Sequence, residues 1–186
     1  MKPLSESYYQ ERSAVQVARE LLGKNLETSI NGIRTSGLIT ETEAYTGIGD
    51  RASHAYGGRR TARNEMMYAK GGTSYVYLCY GIHHLFNVVV SRINDPQAVL
   101  IRSIHPKEGL PAMLARRNAT TLTTNGPGTL SQALGIRIIH NGSSLVGPNI
   151  CIIDRGMTAP EQHIITGPRI GVGYAGADAL LPYRYR

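Results

Sequence analysis

The first periodic signal along the chain is helical. Val15, Ala18, Leu21 and Leu22 share one apolar stripe, which predicts an opening helix from Ser5 to Leu22 with Gly23 as its stop. Two strands follow, Leu26 to Ile30 and Ile33 to Tyr45. They meet at Asn31-Gly32, the dipeptide best suited to the left-handed positions of a two-residue hairpin turn. Short helical turns are predicted over Asp50 to Tyr56 and Ala62 to Tyr68, separated by Gly57-Gly58. The β-branched and aromatic runs Ser74 to Cys79 and Leu85 to Val90 predict a second strand pair, with Tyr80 to His83 as its tip. Ala98 to Arg102 predicts a further strand and Leu110 to Asn118 a helix. Asn125-Gly126-Pro127-Gly128 opens another helix through Leu134, and Ile150 to Ile153 and Arg169 to Val172 predict late strands. No repeat and no long linker divides the chain, so one mixed α/β or α+β domain over residues 1–186 is expected.

Charge and composition narrow the partners. Against 13 Asp+Glu stand 20 Lys+Arg, a formal charge of +7, which favours an anionic partner such as nucleic acid or a membrane surface. The basic residues are spread along the chain, which argues against a disordered basic tail. Cys79 and Cys151 are the only cysteines, too few for a disulfide framework and not a CxxC pair, so a reducing compartment is expected. No apolar run approaches the length of a membrane span and no signal-peptide core is visible. A cytoplasmic location is expected, nucleoid-associated if the source is bacterial. Eleven Tyr accompany one Phe and no Trp. Tyrosine suits surfaces that stack a flat face and also meet water.

The chemistry gathers between Glu41 and Asn64. Glu41 and Glu43, two apart on a strand, face one side, with Tyr45 beyond them. A Glu of ordinary pKa, about 4.3, is ionised at neutral pH and can deprotonate water or stabilise a cationic centre. Alone, the pair fits a solvated edge strand equally well. The adjoining loop changes the balance: Gly57-Gly58 permits close backbone approach, and Arg59, Arg60 and Arg63 can reach phosphates. Tyr45, His54 and Tyr77 offer faces on which a base stacks for about 1–3 kcal/mol. Lys70 joins Arg59 and Arg63 as a candidate contact to a DNA backbone.

Further blocks extend this pattern in one order to the C-terminus: Gly72-Thr73, Tyr75-Val76-Tyr77, Tyr80-Gly81, Asn87, Val99-Leu100-Ile101-Arg102, Asn125-Gly126-Pro127-Gly128, Arg169-Ile170-Gly171-Val172 and Tyr174-Ala175-Gly176. Together they resemble the alkyladenine (3-methyladenine, alkylpurine) DNA glycosylases. The resemblance implies an α+β fold: a single compact domain with a curved antiparallel β-sheet, flanking helices and a protruding hairpin that intercalates into DNA. It implies a monofunctional hydrolase of base excision repair acting on double-stranded DNA. Damaged purines (3-methyladenine, 7-methylguanine, hypoxanthine, ethenoadenine) would be flipped out and cut from the sugar by a Glu-activated water, leaving an abasic site without strand cleavage. Glu43 matches the general base, and Arg102 a residue near the water and the flipped nucleotide's phosphate. Tyr45, His54 and Tyr77 match the walls around the base, Ala52 and the backbone of His54 its hydrogen-bonding edge, and Asn87 the residue that crowds the amino group of guanine. Tyr80 matches the wedge, flanked by Ile82, where many members have Met, and by His83. The family expectation is a monomer without metal, cofactor or membrane association.

Two rival classes are compatible with parts of the chain. A metal-dependent hydrolase or nucleobase deaminase could use His54, His83, His84 or Cys79, but the paired H-x-E and P-C-x-x-C signatures are absent. A non-catalytic module gripping bent or damaged DNA would explain the charge and the wedge, and would need neither Glu43 nor Asn87.

Overall fold

The structure, a computed structural model, describes residues 2–186. It opens with two short helices, α1 (Glu6–Gln10) and α2 (Ala14–Glu20), instead of one continuous helix. The break is made by Ser13: its hydroxyl accepts from the Gln16 N–H at 3.3 Å while the Gln16 side chain accepts from the Ser13 N–H at 3.1 Å. This reciprocal cap starts a helix afresh. Strands β1 (Asn25–Ile30) and β2 (Ile33–Tyr45) meet as expected at Asn31-Gly32, both left-handed, with φ of 53° and 75°.

After β2 the chain makes a long loop with two 3-10 turns, Tyr56–Gly58 and Glu65–Tyr68. The glycine pair falls inside the first turn, not between the two. Strands β3 (Ser74–Cys79) and β4 (His83–Val90) form the hairpin, with Tyr80 to Ile82 as its tip and His83 already paired with Cys79. Strand β5 (Gln97–Glu108) is longer than the expected Ala98–Arg102, because it runs antiparallel along most of β2. Helices α3 (Leu110–Arg117) and α4 (Pro127–Leu134) follow, then β6 (Ile150–Ile153), β7 (Thr166–Gly167) and β8 (Arg184–Tyr185). Arg169 to Val172, expected as a strand, is a loop. Arg169 spends its guanidinium on a buried ion pair with Asp50, and the late sheet pairing passes to β7 and β8.

The eight strands make one antiparallel sheet, ordered β3-β4-β5-β2-β1-β6, with β8 alongside the far end of β2 and β7 beyond it. The fold is α+β. Side-chain alternation gives the sheet two different faces. Ala44, Val76, Phe86, Val88, Val99 and Ile101 point into the main core with Val17, Met113, Leu130 and Leu134 of the helices. The opposite face carries Glu43, Tyr45, Tyr75, Tyr77, Asn87 and Leu100. One cross-strand row runs Tyr75, Asn87, Leu100, Glu43 and Arg184. At the usual strand spacing this sets Asn87 and Glu43 about 10 Å apart.

Three irregularities interrupt the β2–β5 ladder, and the two nearest the site compensate each other. Thr40 is extra on β2 and Arg102 is extra on β5, because Ile39 pairs with Ile104, Glu41 with Ser103 and Thr42 with Ile101. Such bulges add local twist, and Arg102, on the same face as Leu100, meets both glutamates there.

The link into β3 is a close backbone crossing. A Cβ on Gly71 would lie 2.7 Å from the Tyr9 carbonyl oxygen and 2.8 Å from that of Ser91. Gly71→Ala is therefore expected to destabilise the domain by about 1–3 kcal/mol, as overpacking does. Urea unfolding with an unchanged midpoint would contradict this.

Candidate active site

The face opposite the helices holds a cavity of about 580 Å³, within the size range of small-molecule and cofactor sites. Of the sequence-predicted residues, Tyr45, Ala52, His54, Arg63, Tyr77, Tyr80, Asn87 and Arg102 all line it. Glu43 lies just beneath its floor, fully buried, and touches the lining residues Tyr45, Ile170 and Arg102. The solvated edge-strand alternative for the two acids is overturned, since β2 is interior to the sheet.

Three groups hold the Glu43 carboxylate. The Ile170 N–H donates to Oε1 at 2.7 Å, the Tyr45 hydroxyl donates to Oε2 at 2.9 Å, and Arg102 Nη1 stands 3.3 Å from Oε1. Arg102 is itself fixed by Glu41, which accepts from its Nε at 3.0 Å and is also paired with Arg184 at 3.2 Å. Burial pushes the Glu43 pKa up from 4.5; Arg102, the Ile170 N–H and the Tyr45 hydroxyl pull it back without cancelling the rise. Tyr45 has its own pKa driven well above 10.0, first by burial and then by the Glu43 charge, so it remains the donor.

The walls are aromatic and ordered. His54 Nδ1 and the Tyr75 hydroxyl are hydrogen-bonded at 2.8 Å, and the rings of His54 and Tyr77 meet edge-on at 4.7 Å. Burial, then Arg63 and Arg59, lower the His54 pKa, which keeps its ring neutral at pH 7. The Asn87 amide nitrogen donates to the Tyr75 carbonyl at 3.1 Å, so its oxygen is the group left to meet a ligand. His54 is thus tied to Tyr75 and shares the cavity with Cys79, whereas His83 and His84 line a separate groove, so the residues considered for a metal are divided between the two.

Several contributors stand in the sequence pattern without a role assigned to them. Arg169 is bidentate to Asp50, with Nη2 to Oδ1 at 2.8 Å, and its guanidinium lies between the rings of Tyr45 (4.9 Å) and Tyr183 (5.2 Å). Asp50 in turn accepts from the Ala52 N–H at 3.0 Å and the Thr46 N–H at 3.1 Å. This one ion pair therefore sets the loop under Tyr45, the Ala52 edge of the cavity and the Ile170 N–H that binds Glu43. Tyr174 closes the mouth, its hydroxyl donating to the Ala52 carbonyl at 3.1 Å. The pair could not be found from spacing, because its members are 119 residues apart.

The candidate DNA contacts divide. Arg63 lies over the Tyr77 ring at 5.6 Å, and with Arg59 and Arg51 it lines a neighbouring pocket of about 400 Å³. Arg60 is committed to Glu65, at 2.6 Å. Lys70 pairs with Glu6 at 2.7 Å and precedes β3, at the end of the hairpin away from its tip, so the structure does not bring it to the cavity. Tyr80 stands at the tip, 91% exposed, in the left-handed region with φ 51°, and Ile82 is 71% exposed beside it. A non-glycine residue with such a φ is uncommon; here it turns the ring outward. His83 faces the far side of the hairpin.

The raised Glu43 pKa fixes a sign. A folded value above 4.5 means that the neutral carboxyl stabilises the fold at low pH, and that this stability is lost as pH rises through the folded value. Glu43→Gln is expected to melt higher than the parent at about pH 8, with the gap closing toward the acid range. Melting curves that stay parallel across pH would contradict it.

Two comparisons with known proteins bear on this geometry. The model of the methylpurine-DNA glycosylase family matches residues 7–186. Two relatives carry the name "Putative 3-methyladenine DNA glycosylase". That of Chlamydia felis is 46% identical across 98% of this chain and 94% of its own length. That of Bacillus thuringiensis is 43% identical across 96% of this chain and 92% of its own. With the family pattern running through the Glu43 strand, the aromatic cavity and the hairpin alike, the chain belongs to the methylpurine-DNA glycosylase family.

Proposed function

We propose that this DNA glycosylase draws a damaged purine out of duplex DNA into the Tyr45–His54–Tyr77 cavity and hydrolyses its N-glycosidic bond with a water activated by Glu43. The observation that carries the reading is the fully buried carboxylate of Glu43, pKa raised, directly under an aromatic cavity on a +7 protein. Extrusion costs a few kcal/mol, less at a damaged pair. Tyr80, displayed at the hairpin tip, would occupy the space left in the stack.

In the reaction the C1′–N bond breaks with its electrons going to the base, and the sugar gains oxocarbenium character, as in glycoside hydrolysis. Water attacks C1′ and its proton passes to Glu43. Because Glu43 has no exposure in the free protein, a single water must enter beside Arg102, whose guanidinium covers one edge of the carboxylate. Arg102 would keep Glu43 ionised and hold the phosphate of the flipped nucleotide. A raised pKa suits a group that must accept a proton near neutrality. Cationic 3-methyladenine and 7-methylguanine leave readily as neutral bases; hypoxanthine and ethenoadenine are neutral in DNA and would leave once a proton is delivered to the base, for example at N7 through a bound water.

Incubation with an alkylated or hypoxanthine-containing duplex, followed by alkali, is expected to reveal abasic sites, without a borohydride-trappable adduct. Glu43→Gln should bind the same duplex while its single-turnover excision falls by about 10²-fold or more, the lower end of general-base contributions. A near-normal rate would remove Glu43 from the role. Tight binding of lesion duplex without abasic sites would favour the non-catalytic module instead.

Asn87 projects from the same cross-strand row as Glu43. Its amide oxygen would crowd the 2-amino group of guanine. Asn87→Ser is expected to increase release of undamaged guanine, and unchanged guanine release would sink the steric filter.

A further inference from the structure

The β3–β4 hairpin has two sides, and the cavity uses one. Tyr77 and Tyr80 line the cavity, whereas Ile82, His83 and His84 line a separate groove of about 540 Å³. Helix α4 divides in the same way: Pro127 faces the cavity, Gly128 and Gln132 the groove. Its other walls include Arg116 of α3, Arg137 and His140 from the turn after α4, and Ile30, Asn31 and Ile33 at the β1–β2 turn.

Its chemistry is one-sided. No Asp or Glu lines it. Arg116 is fixed in place, donating to Thr35 Oγ1 at 3.0 Å and to the Ala133 carbonyl at 3.1 Å. Arg137 is exposed and in no ion pair among the described residues. Burial and the Arg137 charge hold Arg116, His84 and His140 below their ordinary pKa values. The two arginines therefore raise the potential of the groove with no acidic side chain among its lining residues. Exposed Ile82 and Ile139 form apolar lips on the same groove.

A wedge entering from the minor groove has one DNA strand on each flank. The cavity flank takes the lesion strand, an assignment that rests on the proposed function. The opposite flank then meets the other strand. We infer that the groove bounded by the hairpin, α3 and the Arg137 turn holds the sugar–phosphate backbone of the strand complementary to the lesion. Arg137 and Arg116 meet phosphates, and Ile82 and Ile139 meet the sugars between them. Contacts of this kind carry no sequence information but fix register on the duplex, which an enzyme searching any sequence for damage requires.

The test is anisotropy titration with a lesion duplex over a range of salt. Arg137→Ala is expected to lower the log–log salt slope by about 0.9, one released counterion, and Arg137→Lys to retain it. Neutral methylphosphonate linkages are then placed in the complementary strand opposite the lesion. They should lower the slope by more for the wild-type protein than for Arg137→Ala, whose one remaining groove arginine is Arg116, whereas the same linkages in the lesion strand should cost both proteins equally. An unchanged slope in Arg137→Ala, or complementary-strand linkages that weaken both proteins alike, would overturn the inference. Abasic-site formation by the wild-type protein on the same duplex is scored apart. Its absence would defeat the proposed reaction, while the strand-specific slopes still decide the groove.

Discussion

A carboxylate with no exposure, set in the middle of a β-sheet, is the costly feature around which this molecule is organised. Taking an ion out of water costs several kcal/mol even after the surroundings relax. Glu43 recovers part of that through the Ile170 N–H, the Tyr45 hydroxyl and Arg102, and the upward pKa shift says that the recovery is incomplete. Each of the three supports is itself supported. Arg102 is held by Glu41, Tyr45 lies against the Arg169 guanidinium, and Ile170 is carried by the loop that Arg169 pins to Asp50. An acid left partly unsatisfied in the free protein suits the proton-accepting role proposed for it.

The sheet supplies the distances. Because strand side chains alternate, the residues that fill the helical core and those that shape the cavity are interleaved along the same strands: Thr42 and Ala44 against Glu43 and Tyr45, Val76 against Tyr75 and Tyr77, Phe86 and Val88 against Asn87. A strong core therefore fixes the site, since shifting any strand by one residue would exchange the two sets. Arg102 obeys the same alternation, two residues from Leu100 on the cavity face, where it meets both glutamates beside the bulge.

Much of this was legible in the chain. The Asn31-Gly32 hairpin, the β3–β4 pair, α3, α4 and β6 follow from local signals that the packing reinforces. Tyr45, His54, Tyr77 and Asn87 converge as the family pattern implied. Two of the misses share one physical cause, that long-range partners outweigh local preference; the other is a local cap. The apolar stripe of the first helix hid the Ser13 cap that divides it. The β-like run Arg169 to Val172 became a loop because a guanidinium far along the chain satisfies Asp50. Lys70 looked free in sequence and is paired with Glu6 across the fold.

The proposed glycosylase chemistry and the proposed backbone grip occupy different parts of the same scaffold, with the hairpin as their shared wall. The claim on which the chemistry depends is that Glu43 must be ionised to act and that burial has raised its pKa. Single-turnover excision of 7-methylguanine from duplex DNA, followed across about pH 4 to 8, tests it most directly, because that lesion is already cationic and needs no protonation to leave. The expected rate falls toward acid along a single-proton limb whose midpoint lies above the ordinary 4.5. A rate that is flat through this range, or a limb with its midpoint below 4.5, would contradict the account.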